Sequence, residues 1–132
     1  MSASEPDAVP AAPGVPAQAL LPGRLGLLVR LGCAPGQRAA LLDALHRYTD
    51  GLSEEPGTEL FIVHLDPEDA DVVWLYEVFR DQDAQDAHRS AEGFAQLMTE
   101  LPDLLAAPPG ILRLDPLRLS LQQRALDEEW DI

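Results

Sequence analysis

Residues 72–80, V-V-W-L-Y-E-V-F-R, carry apolar side chains at almost every position of a strand-length run. Side chains along a strand alternate between the two faces, so Val73, Leu75, Glu77 and Phe79 share one face, and Val72, Trp74, Tyr76 and Val78 share the other. Both faces are expected to be buried. A sheet with one face in water is therefore excluded, and each side needs a cover.

The flanking segments supply one cover. Residues 25–31 (L-G-L-L-V-R-L) and 58–65 (T-E-L-F-I-V-H-L) read as strands, bounded by Pro22-Gly23, Pro35-Gly36, Pro56-Gly57 and the polar reversal Asp66-Pro67-Glu68-Asp69. In residues 37–52 the spacing of Leu41, Leu45, Tyr48 and Leu52 predicts one apolar stripe on a helix. Asp81 is a good N-cap for a second helix carrying Ala84, Ala87 and His88. A further helical segment at 93–105 presents Phe94, Leu97, Met98, Leu101 and Leu105, with Pro102 inside it, and residues 111–119 read as a last strand. The order is β-α-β-β-α-β, an α+β ferredoxin-like pattern in which helices cover one sheet face only. The other face, with Trp74 and Tyr76, calls for a second copy packed sheet to sheet, so a homodimer is expected.

The folded domain is expected to span residues 24–119. Residues 1–23, with five prolines among Ala and Gly, read as a disordered leader; acids at Glu5 and Asp7 and proline-broken apolar runs argue against an export signal. Residues 120–132 read as an acidic C-terminal arm, packing through Trp130 on the partner or closing over a pocket. Nine Arg, no Lys and 23 Asp plus Glu give a formal charge of −14. Phosphate backbones and anionic membranes would be repelled, so neither nucleic acid nor membrane is an expected partner, and acidic substrates are disfavoured unless an Arg is aimed at them. The lone Cys33 suits a reducing cytoplasm and excludes paired-thiolate metal sites. No run is long and apolar enough to span a bilayer.

The chemistry sits on few residues. Glu77 is the one charge within residues 72–79 and lies on the helix-facing side, where desolvation would make it hold its proton more tightly. It reads either as a working acid or base, or as a structural carboxylate satisfied by backbone donors or by Arg30 or Arg89. His88 follows Ala84 by four residues and shares its helix face, and the small Ala84 and Ala87 let that helix approach the sheet. An imidazole there is a proton acceptor suited to neutral pH, or simply a packed side chain. His46 and His64 read as exposed. No ligand set at metal spacing, Gly-rich phosphate cradle or nucleophile elbow is present, so neither metal nor cofactor is expected.

Ala34-Pro35-Gly36, Glu55-Pro56-Gly57, Tyr76-Glu77, Ala84 and His88, taken in their order and spacing, resemble the antibiotic-biosynthesis-monooxygenase family, and within it the quinol monooxygenase branch, over residues 25–119. The resemblance implies a dimeric α/β barrel, often working without any cofactor. The residues described for the anthrone oxygenases of the family fall on Leu75, Phe79, Gln85 and about Thr99, and none matches. Those of the haem-degrading branch fall near Val29, His88 and Met98, which leaves no axial histidine for iron, and the chain has no Asn at all. What the resemblance implies is a cofactor-independent monooxygenase of phenolic, quinol- or anthrone-like small molecules. His88, or Glu77 through it, would remove a phenolic or activated C–H proton, and O₂ would be reduced by the resulting anion in a pocket lined by Leu27, Val29, Leu75, Phe79, Phe94, Leu97 and Met98. A cofactor-free isomerase or cyclase with the same base, and a non-catalytic dimeric small-molecule-binding module, stand beside it.

Overall fold

The structure, a computed structural model, describes residues 8–9 and 17–122. In chain order its elements are β1 (Ala8–Val9), β2 (Ala17–Leu20), β3 (Leu25–Gly32), α1 (Arg38–Asp50), a 3₁₀ turn (Leu52–Glu54), β4 (Thr58–Leu65), β5 (Val72–Phe79), α2 (Gln82–Ser90), α3 (Glu92–Leu104), β6 (Gly110–Leu114) and β7 (Arg118–Leu121). They form two units, residues 24–115 and the two flanking stretches together.

The larger unit is the ferredoxin-like one. Its sheet is antiparallel throughout, in the order β4-β5-β3-β6. The two central strands, β3 and β5, are those richest in apolar residues, because only a central strand can bury both edges. The hairpin between β4 and β5 closes on Asp66, whose Oδ1 accepts from the backbone N–H of Glu68 and Asp69 at 2.9 and 3.0 Å. Its Oδ2 accepts from Trp74 Nε1 at 2.9 Å, which pins the indole to the turn.

Helices α1 and α3 cover one face. From α1 the predicted stripe goes inward, with Leu41, Leu45 and Tyr48 buried and Ala44 between them. These side chains meet Val29 and Leu31 of β3, Cys33 just after it, Val73 and Leu75 of β5, and Leu97 and Leu101 of α3. Each such apolar side chain contributes about 1.5–3 kcal/mol through its removal from water. The α2 helix starts at Asp81, whose Oδ1 accepts from Ala84 N at 2.8 Å, the predicted cap. On the opposite sheet face Val72 and Val78 are buried, while Trp74 and Tyr76 are half-buried and Ile62, Leu112 and Leu114 are exposed.

The chain ends depart from the sequence reading. Residues 17–20, expected in a disordered leader, form β2, which pairs antiparallel with β7 from Ala17↔Leu121 to Leu20↔Arg118 and with β1 on its other edge. The stretch between Pro16 and Pro22 is free of proline, so its N–H groups can enter a ladder. The last strand, expected over 111–119, is split around Pro116 into β6 and β7, which belong to different sheets. The larger unit accordingly ends at residue 115 rather than 119, and Ser120 and Leu121, assigned to the arm, are strand residues. The rest of the arm, with Trp130, and most of the leader lie outside the described residues.

Candidate active site

Four elements bring their polar groups to one point beneath the helices. The turn Glu55-Pro56-Gly57-Thr58 closes with the Thr58 N–H on the Glu55 carbonyl at 2.9 Å, leaving the Glu55 side chain free to enter the core. Gly57 there is a matter of space, since its φ is not positive. A Cβ on it would stand 2.5 Å from Ala84 Cβ. With no side chain between them, α2 lies against the start of β4, and this close approach carries His88 inward. Gln85 and His88 are the two buried residues of that helix.

The carboxylate of Glu55 collects three bonds on Oε1. Tyr48 OH donates at 2.9 Å, Thr58 Oγ1 donates at 3.0 Å, and His88 Nδ1 lies at 2.8 Å. The Tyr48 hydroxyl is also 2.8 Å from His88 Nδ1. Burial, then the hydrogen bond to Glu55, push the Tyr48 hydroxyl well above the ordinary phenol range, so it keeps its proton and gives it to Glu55. A bare Nδ1 would face two electron-rich oxygens, whereas Nδ1–H donates to both. The triangle therefore assigns the proton of the neutral ring to Nδ1 and leaves Nε2 as its basic atom.

Nε2 points toward Glu77, whose Oε1 is 3.7 Å away. That is beyond hydrogen-bond reach, so both groups remain able to address a third one. Glu77 is 5% exposed, and burial, followed by the charge of Glu55, pushes its carboxyl up to about 7. It is thus divided between acid and carboxylate at neutral pH. The His88 ring is held between Phe94, with centroids 4.3 Å apart, and Phe79 at 5.0 Å.

Glu77, His88 and Phe94 border a cavity of about 150 Å³ between helices and sheet. Of the residues predicted to line it, Leu27, Val29, Leu75, Phe94, Leu97 and Met98 do so, as do Glu77 and His88. Phe79 does not. It is fully buried and backs the His88 ring instead, because its position opposite Leu25 and Thr58 places it under α2. Arg30, weighed as a partner for Glu77, alternates to the other sheet face, while Arg89 borders the cavity. His46 and His64 are exposed. Sequence reasoning missed the Glu55–Tyr48–Thr58 support of the imidazole. Tyr48 was read only as a member of an apolar stripe, and the one signal for Glu55 was an acid set at a Pro-Gly turn before a strand.

The family model for antibiotic biosynthesis monooxygenase matches residues 25–100. Among solved structures, a Pseudomonas aeruginosa protein is 26% identical, with a TM-score of 0.67 over 74% of this chain and 97% of its own. A Nitrosomonas europaea protein of unknown function is 31% identical, with a TM-score of 0.59 over 74% and 88%. A Caulobacter crescentus protein provisionally named an antibiotic biosynthesis monooxygenase shares the fold at 19% identity, with a TM-score of 0.68 over 74% and 93%. No curated protein matches the sequence. Among the described residues, no helix is long and apolar enough to cross a membrane.

Proposed function

This chain belongs to the antibiotic biosynthesis monooxygenase family, and from that premise we propose that it is a cofactor-independent monooxygenase of phenolic, quinol- or anthrone-like small molecules. The observation that carries the reading is the oriented imidazole: Nδ1 is tied to Glu55 and Tyr48, and Nε2 is turned toward Glu77 at the wall of an apolar cavity.

In this reading Nε2 takes the proton of a phenol or of an activated C–H. Glu55 stabilises the imidazolium that forms, and Glu77 receives or returns the proton. The substrate anion, stripped of water by Leu27, Val29, Leu75 and Phe94, reduces O₂ itself. One oxygen atom enters the product and the other leaves as water, so a quinol plus O₂ becomes a hydroxyquinone plus water, with the substrate as the only reductant.

The active form is a homodimer. Its interface would be the sheet face with Trp74, Tyr76, Ile62, Leu112 and Leu114, whose apolar surface needs a cover. A cytoplasmic setting fits the free thiol of Cys33.

An oxygen electrode with an alkylhydroquinone, a dihydroxynaphthalene or an anthrone as substrate tests the reading, together with ¹⁸O₂ labelling of the product. One O₂ per turnover and one labelled atom per product are expected, with His88→Ala slower by about 10²- to 10⁴-fold. Turnover without O₂ uptake would refute it.

A further inference from the structure

We infer that the substrate is a single aromatic ring bearing an apolar chain, the ring in the cavity beside His88 and the chain in a groove that adjoins it; this rests on the function proposed above. An apolar cavity of about 150 Å³ is the size that takes one benzene-like ring. A fused two- or three-ring system would have to protrude from it.

The structure gives the protruding part a place. A groove of about 410 Å³ runs between the second half of α3 and residues 106–109, and Met98, Leu101 and Pro109 are walls of both the cavity and the groove. The two spaces therefore adjoin, and a chain leaving the ring would cross at the shared wall of Met98, Leu101 and Pro109. The remaining groove walls come from Pro102, Leu105 and the turn Ala106-Ala107-Pro108. Every lining side chain is apolar. A phosphate, sugar or carboxylate seated there would lose water and find no side-chain donor or cation in return, whereas methylenes lose nothing. Pro102 adds rigidity, since it holds the last turn of α3 without offering an N–H. Met98, 39% exposed at the junction, is a flexible side chain able to adapt to the chain's path.

The test is a series of 4-alkylphenols, from phenol through ethyl and butyl to hexyl, titrated calorimetrically into the full-length protein. Affinity should rise about two- to fourfold per methylene. The same series is then run on Ala107→Trp and, separately, Ala106→Trp, each of which fills the groove from an exposed position. In both variants the rise with chain length should flatten, whatever the affinity of phenol itself. A flat series in the wild type, or an equal rise in wild type and both variants, overturns the inference while leaving the ring site intact. Failure of phenol and every homologue to bind overturns the underlying functional reading instead.

Discussion

Replacing Glu77 by Gln turns the buried carboxyl into a stability measurement. In the folded protein this group is raised to about 7 by burial and by the charge of Glu55, against an ordinary value of 4.5. Below pH 4.5 it is protonated whether the chain is folded or not, and it costs nothing. As pH rises from 4.5 toward 7 the unfolded chain releases the proton and the folded chain keeps it, so stability falls. Above about 7 both states have lost it, and the full cost is present. At 1.36 kcal/mol per factor of ten, the gap corresponds to about 3 kcal/mol. Gln resembles the protonated acid in shape and has no proton to lose. Glu77→Gln should therefore match the wild type near pH 4.5 and exceed it by about 3 kcal/mol at pH 8. Urea unfolding at fixed protein concentration, in steps from pH 4.5 to 8, reads the difference directly. Two curves that stay parallel across this range would mean that Glu77 ionises as an ordinary carboxylate, and the acid–base role assigned to it would fall.

The remaining predictions concern the imidazole, its helix and the sheet face. Glu55→Gln leaves an acceptor oxygen for Tyr48, Thr58 and Nδ1–H but removes the charge that stabilises the imidazolium; turnover should drop about 10²- to 10⁴-fold while ¹⁵N NMR shows Nδ1 protonated and Nε2 bare in wild type and variant alike, and a protonated Nε2 in the neutral wild-type ring would contradict the tautomer argument. Gly57→Ala forces α2 off β4 and should cost about 1–3 kcal/mol, seen as a lower Tm, with part regained on adding Ala84→Gly. No recovery in that double variant would show that the contact is not the cause. Trp74→Glu places a charge on the half-buried apolar sheet face and should give monomers or aggregates in sedimentation, against a wild-type dimer; a wild-type chain that sediments as a monomer removes the basis for the proposed assembly.

Periodicity made most of the larger unit legible. The step pattern of Leu41, Leu45 and Tyr48, the alternation along residues 72–79 and the Asp81 cap are local signals, and local signals survive in a linear sequence because each depends on neighbours a few positions away. The helix-facing position of Glu77 follows from the same alternation, and the inward turn of His88 from its spacing with Ala84. The errors fall where a decision is made by distant partners. Proline content argued for an unpaired leader, yet Ala17–Leu20 is paired by β7, about a hundred residues away. Pro116 was passed over in a run otherwise strand-like, although a missing N–H and a restricted φ are sufficient to move the chain from one sheet to another.

Element order, the doubly apolar central strand, and an acid and an imidazole on facing surfaces are written in the order of residues alone. How those two groups are tuned depends on packing. Glu55, Tyr48, Thr58 and His88 come from a turn, a helix, a strand start and a second helix, separated by as many as 40 positions, and no spacing rule links them. Their convergence depends on Gly57 letting α2 settle against β4, a contact of two Cβ-sized volumes. From that contact follow the tautomer of His88, the second charge that raises Glu77, and the placing of Phe79 behind the imidazole rather than in the cavity. Burial and close approach are properties of the packed chain, and they decide which of the legible residues can move a proton.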